Sequence, residues 1–244
     1  AACGSDSEGG STEPATDSTE VTAEEAVTET TEAASDEPAA GGTVSGTLVG
    51  AGSSAQAAGM QGWQAGFQSL NSDATIEYDA IGSGGGRELF LSGGSDFAGS
   101  DAALKDEEFE LSKERCVGDQ GAINLPHYIS PIAIPYNLPS VEATLNLTPE
   151  IVAGIFANTI TKWNDPAIAA TNEGIELPDL NINPVHRSDE SGTSKNFTDY
   201  MSQSAPTVWT FGAIEIWDDG PGGGEGAQGT SGVVAAVEAG EGSI

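Results

Sequence analysis

Three short runs of glycine and small hydroxyl residues constrain this chain more than any other feature. They are Gly50-Ala51-Gly52-Ser53-Ser54-Ala55, Gly82-Ser83-Gly84-Gly85-Gly86 and Ser188-Asp189-Glu190-Ser191-Gly192-Thr193-Ser194. Each follows a strand-like run and precedes a helix-like one. Val44, Leu48 and Val49 lead into the first, and Met60, Trp63, Phe67 and Leu70 follow it at helical spacing, a stripe expected to lie in the core. Ile76, Tyr78 and Ala80 alternate ahead of the second, and residues 87–91 read as a short helix after it. Leu180, Ile182 and Val185 lead into Arg187 before the third, and Phe197, Tyr200 and Met201 predict a short helix beyond it. Strand, polar loop and helix in repetition argue for an α/β fold with a largely parallel sheet. Ligands bind such sheets at the carboxyl ends of the strands. The helix N-termini found there offer free N–H groups and a positive dipole end to an anion.

The remaining elements fit the same plan. Residues 96–99 form a short strand that delivers Ser100 and Asp101 at its end. Residues 105–113 read as a solvated helix, and residues 127–136, though interrupted by Pro131 and Pro135, as a strand. Thr148-Pro149-Glu150 is a helix start, a hydroxyl cap followed by proline in the first turn, with Ile151, Ile155 and Phe156 on the buried side. Asn164-Asp165-Pro166 starts another helix by the same logic. After the glycine-rich residues 220–229, a helix over residues 233–237 is predicted, capped by Thr230 or Ser231.

Charge narrows the partners. The chain has 38 acidic residues against 7 basic ones, a formal net charge of -31. Phosphate backbones and anionic lipid surfaces are captured with Lys and Arg, so no nucleic-acid partner and no basic membrane docking is expected. Residues 1–40 hold 11 acids, no base, no aromatic residue, no Leu and no Ile. Such a segment cannot bury enough apolar surface to offset chain entropy and reads as a disordered acidic tether. Ala1-Ala2-Cys3-Gly4 has the form left after cleavage of a bacterial lipoprotein signal; the other reading is a chance cysteine in a low-complexity tail. Cys116 is then either a buried thiol or paired outside the chain. No apolar run reaches transmembrane length.

The chemistry-bearing candidates are few. Gly50 to Ala55 loosely follows a dinucleotide fingerprint but equally suits a tight strand-to-helix turn, and a phosphate-cradling GxxxxGK[ST] run is missing. Gly82-Ser83-Gly84 lacks the register of a nucleophile elbow. His127 and His186 are the only histidines, neither has a metal-ligand partner at the right spacing, and His186 reads as structural. Arg187 stands directly before the third polar run. It suits a tetrahedral oxyanion, or else a surface ion pair with the abundant acid. Asp101 and Asp189 make sense beside an anion only if that anion carries protons, which a carboxylate accepts while it repels a fully deprotonated competitor.

Five runs stand in order: Gly50 to Ser54, Ile81 to Gly86, Asp96-Phe97-Ala98-Gly99-Ser100-Asp101, Ile160-Thr161-Lys162-Trp163-Asn164-Asp165-Pro166-Ala167-Ile168, and His186 to Ser194. Together they resemble the phosphate-binding proteins (PstS type) of bacterial high-affinity phosphate ABC transporters, from about Thr43 onward. The resemblance implies a two-lobed type II periplasmic-binding-protein fold with a hinge, which closes on inorganic phosphate and delivers it to permease subunits. It implies no enzyme activity, no cofactor and no metal. Carried over by motif, it implies that phosphate is bound by the Ser54 hydroxyl, the Ala55 N–H, Ser83, Asp101, Arg187, Asp189, Ser191, Gly192 and Thr193. Asp189 is implied to pair with Arg187 and limit its charge. Two departures stand out. Ala55-Gln56 replaces an aromatic residue and proline, and Glu190 replaces a glycine, which would strain the backbone if that position needs positive φ.

The implied organisation is a tether over residues 1–42 after a lipid-bearing Cys3, a first lobe over 43–128 and a second over 129–244. The C-terminal part of the first lobe and the end of the second are expected to be missing, leaving residues 43–125 loosely packed. The implied protein is monomeric, extracytoplasmic and held to the cell membrane by lipid alone. The alternatives are a phosphatase or other phosphoryl-transfer enzyme using Ser83 or Ser191, and an acidic surface adhesin.

Overall fold

The computed structural model describes residues 44–117 and 120–244, which belong to one compact unit, Gly42–Ile244. The expected tether and Cys3 lie outside the described residues. Strand β1 (Gly46–Gly52) is the centre of a three-stranded parallel sheet, flanked by β2 (Ala74–Asp79) and β3 (Phe97–Gly99). Leu48 pairs with Ile76 on one side and Ala51 with Ala98 on the other. Parallel neighbours need a crossover. Helix α1 (Ala57–Leu70) supplies it from β1 to β2, and α2 (Ser83–Leu91) from β2 to β3. Helix α2 lies so close to β1 that a Cβ on Gly86 would stand 2.3 Å from Gly52 Cα, so only glycine fits at this crossing.

The structure departs from the sequence pattern at several points. The glycine run over residues 83–86 is not a loop but the first turn of α2, entered through Gly82 at φ 98°. The stripe on α1 is in place but is not core. Leu70 is 85% exposed and Trp63 42%, because no described element covers that face; Trp63 instead meets the rings of His127 and Tyr128 edge-on at 5.1 and 5.2 Å. Residues 127–136 form no strand. No described strand runs beside them, and Pro126, Pro131 and Pro135 have no N–H to give a ladder. Helix α3 (Asp106–Arg115) is solvated as expected, with acids in its first turn and bases in its last, matching its dipole.

The large apolar cluster lies in the second half of the described chain. It gathers Ile155, Trp163, Ile168, Met201, Trp209 and Trp217 with their neighbours between Leu138 and Ile244. Helix α4 (Pro149–Phe156) is capped by Thr148, which accepts from Ile151 N–H at 3.4 Å. Helix α5 (Pro166–Ala170) is capped by Asp165, which accepts from Ala167 N–H at 2.8 Å. Both starts are as the sequence predicts. Strand β4 (Val185–Arg187) pairs in parallel with β5 (Glu225–Ala227). Helix α6 (Gly192–Ser204) is longer than predicted, because Ser191 caps it and draws Gly192, Thr193 and Ser194 of the polar run into its first turn. Helix α7 (Gly229–Ala239) also starts early. Gln228 precedes it without a side-chain cap, and Thr230 sits inside the first turn, so neither predicted cap holds. No helix among the described residues is long and apolar enough to cross a membrane.

Candidate functional site

The ends of β1, β3 and β4 meet the N-termini of α2 and α6 at one polar junction. Asp101, two residues beyond β3, is its centre. Its carboxylate accepts the Ser53 hydroxyl at 2.8 and 2.7 Å and the Thr193 hydroxyl at 2.9 Å. Ser53 comes from the end of β1 and Thr193 from the first turn of α6, so one carboxylate ties the two layers together. The Asp101 N–H donates to Ser83 Oγ at 3.3 Å. A Cβ on Gly192 would stand 2.8 Å from Ser83 Oγ and 3.0 Å from Asp101 Cβ. The missing side chain is what lets α6 approach α2 and Asp101. Asn196 braces the contact, donating to the carbonyls of Asp101 and Gly192, each at 2.8 Å.

Arg187 stands at the end of β4 and is 6% exposed, which removes the surface-pair reading. Its Nε donates to Asp189 Oδ1 at 2.6 Å, and its Nη2 pairs with Asp189 Oδ2. Gly229 N–H, at the start of α7, donates to the same Oδ1 at 3.1 Å. Burial alone would raise the Asp189 carboxyl, but Arg187 and the Gly229 N–H outweigh it and hold it below the ordinary carboxylate range. Tyr78 donates to the Ser53 carbonyl at 3.0 Å. Burial first, then the nearby Asp101 charge, pushes its phenol well above the ordinary range, so it stays a donor.

Ser83, Asp101, Gly192 and Thr193 are thus brought together, with Arg187 and Asp189 paired on the adjoining loop. Ser54 and Ala55 are turned elsewhere. Ser54 Oγ accepts the Thr230 N–H at 3.0 Å, and the Ala55 N–H donates to Ser53 Oγ at 3.2 Å. The Ser191 hydroxyl is committed to its cap, accepting Ser194 N–H at 3.2 Å. That leaves the first-turn amides of Gly192 and Thr193, which have no carbonyl partner within the helix. The sequence reading places Ser53 in the first glycine run and Thr230 at a helix cap, but neither among the site residues. The signal for Ser53 is its position: it is the first hydroxyl beyond β1, and it is 1% exposed. Glu190 does not adopt positive φ, which among the described non-glycine residues is confined to Asn158, so the expected strain is not present.

His186 is structural. It stacks on Trp217 at 4.7 Å, and its Nδ1 lies 2.9 Å from the Arg187 carbonyl. Cys116 is a free thiol, half-buried. Among the described residues, no group of His, Cys, Asp and Glu is placed to hold a metal ion.

Two parallel α/β layers that turn strand ends and helix N-termini onto one polar junction have the arrangement of the type II periplasmic-binding-protein fold. Residues 37–244 match the family model described as a PBP superfamily domain, and the chain belongs to that superfamily. It is 42% identical over 198 residues to the phosphate-binding protein PstS 3 of Mycobacterium leprae, a match covering 81% of this chain and 52% of that one. The chain spans about half the length of the curated relatives it matches. A solved high-affinity periplasmic phosphate-binding protein bound with phosphate aligns at a TM-score of 0.65 and 26% identity, covering 82% of this chain and 55% of that one. A putative phosphate ABC transporter substrate-binding protein with bound phosphate, from Clostridium perfringens, aligns at 0.58 with 19% identity, covering 82% and 69%, which speaks for the fold alone.

Proposed function

We propose that this chain is part of an extracytoplasmic solute-binding protein that captures inorganic phosphate between two lobes and delivers it to an ABC importer. The observation that carries the reading is the Asp101 carboxylate, which takes hydroxyl donors from both layers at once. Phosphate near neutral pH carries a proton. Asp101 accepts that proton's hydrogen bond, while the hydroxyls of Ser54, Ser83 and Ser191 and the amides of Gly192 and Thr193 donate to the other oxygens; the Thr193 hydroxyl and the Ala55 amide join them by leaving Asp101 and Ser53. Sulfate brings no proton and meets Asp101 as bare repulsion. Arg187 contributes a directed donor whose charge is largely offset by Asp189. The names of the relatives support the same ligand. The proposal extends to a lobe division near residue 128, a monomer, and a lipid on Cys3.

The reading contains no chemical step. Ser83 and Ser191 take N–H groups from Asp101 and Ser194, and both histidines lie against backbone carbonyls rather than against a serine. Calorimetry with phosphate and with sulfate tests the proposal. Phosphate should bind and sulfate should not; equal affinity for both overturns the role of Asp101. Arg187→Ala should weaken phosphate binding by about 1.5–3 kcal/mol, the range for a hydrogen bond to a charged group.

A further inference from the structure

A second polar cluster lies beside the site and is not part of it. Arg87, one turn beyond Ser83 on α2, is 1% exposed. Its Nε donates to Glu108 of α3 at 3.0 and 3.1 Å, within its own layer. Its Nη2 crosses to the other layer, 2.9 Å from Glu215 Oε2 and 3.3 Å from Glu190 Oε1. Lys105, just before α3, makes the same crossing at 2.8 and 2.9 Å. Lys195 on α6 stands 3.5 Å from the other oxygen of Glu215.

The cluster therefore holds three cations and three carboxylates. In a chain with only 7 bases and 38 acids, three of those bases converge on one point. Two carboxylates from the second layer share two cations from the first. Both carboxylates are fastened to the loop that carries the site. Glu190 lies between Asp189 and Ser191, and its carbonyl accepts Gly84 N–H of α2 at 3.1 Å. The Glu215 carbonyl accepts Ser191 N–H, also at 3.1 Å. Burial works against the Glu215 charge, yet Lys105, Arg87 and Lys195 outweigh it and hold the carboxyl down to about 2.

We infer that Glu190 and Glu215, with Arg87 and Lys105, form an ionic clasp that holds the two layers closed over the site and so sets how long a bound anion is retained. This rests on the phosphate-binding reading for its ligand but not for its geometry. These are positioning residues and do not touch the anion. The net effect is far smaller than the Coulomb attraction, because opening the layers returns the charges to water. It falls on release rather than capture, since related complexes differ mainly in dissociation rate. Lys105 and Glu190 are the solvent-facing half of the clasp, so added salt weakens that half.

Glu190→Gln and Lys105→Gln are the variants of choice, because both side chains are partly exposed and their loss leaves Arg87 with Glu108 and Glu215. Two measurements on the full chain test the clasp. The first needs no ligand: hydrogen exchange of residues 81–86 should quicken about tenfold in each variant, while residues 151–156 of the core stay unchanged. A general loss of stability would move both segments. The second is release of radiolabelled phosphate into excess cold phosphate. Each variant should release about tenfold faster, a shift of about 1.4 kcal/mol, and wild-type release should be more salt-dependent than that of either variant. Unchanged exchange over residues 81–86 overturns the clasp whether or not phosphate binds. Unchanged release with quickened exchange overturns its role in retention. Wild-type protein that fails to bind phosphate defeats the ligand proposal, while the exchange arm still decides the clasp.

Discussion

Replacing Asp189 by asparagine removes the counter-charge of a buried arginine while keeping the shape of the side chain. In the native protein, Asp189 takes two guanidinium contacts from Arg187 and the N–H of Gly229. Arg187 is 6% exposed, so water does not replace what it loses. Breaking a buried pair from one side costs about 3–5 kcal/mol. The asparagine carbonyl can still accept one N–H, which returns about 1 kcal/mol. The net loss is then about 2–4 kcal/mol, and at this chain size each kcal/mol lowers the melting temperature by about 2–4 °C. Calorimetric melting at pH 7 should therefore show a drop of about 4–16 °C for Asp189→Asn.

The pH dependence gives the sign. The folded carboxyl is held below its ordinary value, so its contribution is complete above the unfolded value of about 4 and fades as pH falls through the folded value. Asparagine does not titrate, so the gap between the two proteins should narrow between pH 7 and pH 2.5. Equal melting temperatures at pH 7, or a gap of the same size at pH 2.5, would show that Asp189 is not the counter-charge that stabilises Arg187.

Other expected outcomes rest on separate features. Gly192→Ala places a methyl within 3.0 Å of Ala102 N and Asp101 Cβ, so the two layers must separate; phosphate affinity by calorimetry should fall at least tenfold, and the ligand-free protein should lose about 1–3 kcal/mol to overpacking. Asp101→Asn should admit sulfate, since the amide can donate to an unprotonated oxyanion; continued exclusion of sulfate would locate selectivity elsewhere. Ile155→Ala, in the fully buried cluster, should cost about 2–5 kcal/mol. Leu70→Ala, on the exposed face of α1, should stay within about 0.5 kcal/mol by denaturant titration.

Much of the architecture was legible because it is written locally. The order of strand, polar run and helix predicts parallel layers, and β1, β2 and β4 each do lead into such a run. Thr148-Pro149 and Asp165-Pro166 start helices because a cap bonds an amide only two or three residues ahead. Arg187 beside Asp189 needs no more than a two-residue reach. Family resemblance added the grouping of Ser83, Asp101, Gly192 and Thr193.

What tertiary structure alone decided is which surfaces meet. Ser53 reaches Asp101 across 48 positions and Thr193 across 92. Arg87 reaches Glu215 across 128, and no local pattern encodes that partner. The stripe on α1 has the period of a core face, yet whether it is covered depends on a neighbour, not on the helix. Residues 127–136 have the apolar pattern of a strand, but a strand exists only as one side of a ladder. Hydrogen bonds within a turn are set by the residues that make them, whereas burial, pairing and charge compensation belong to two segments at once. The chemistry of the polar junction was therefore readable from its residues, and its geometry was settled by how the two layers pack.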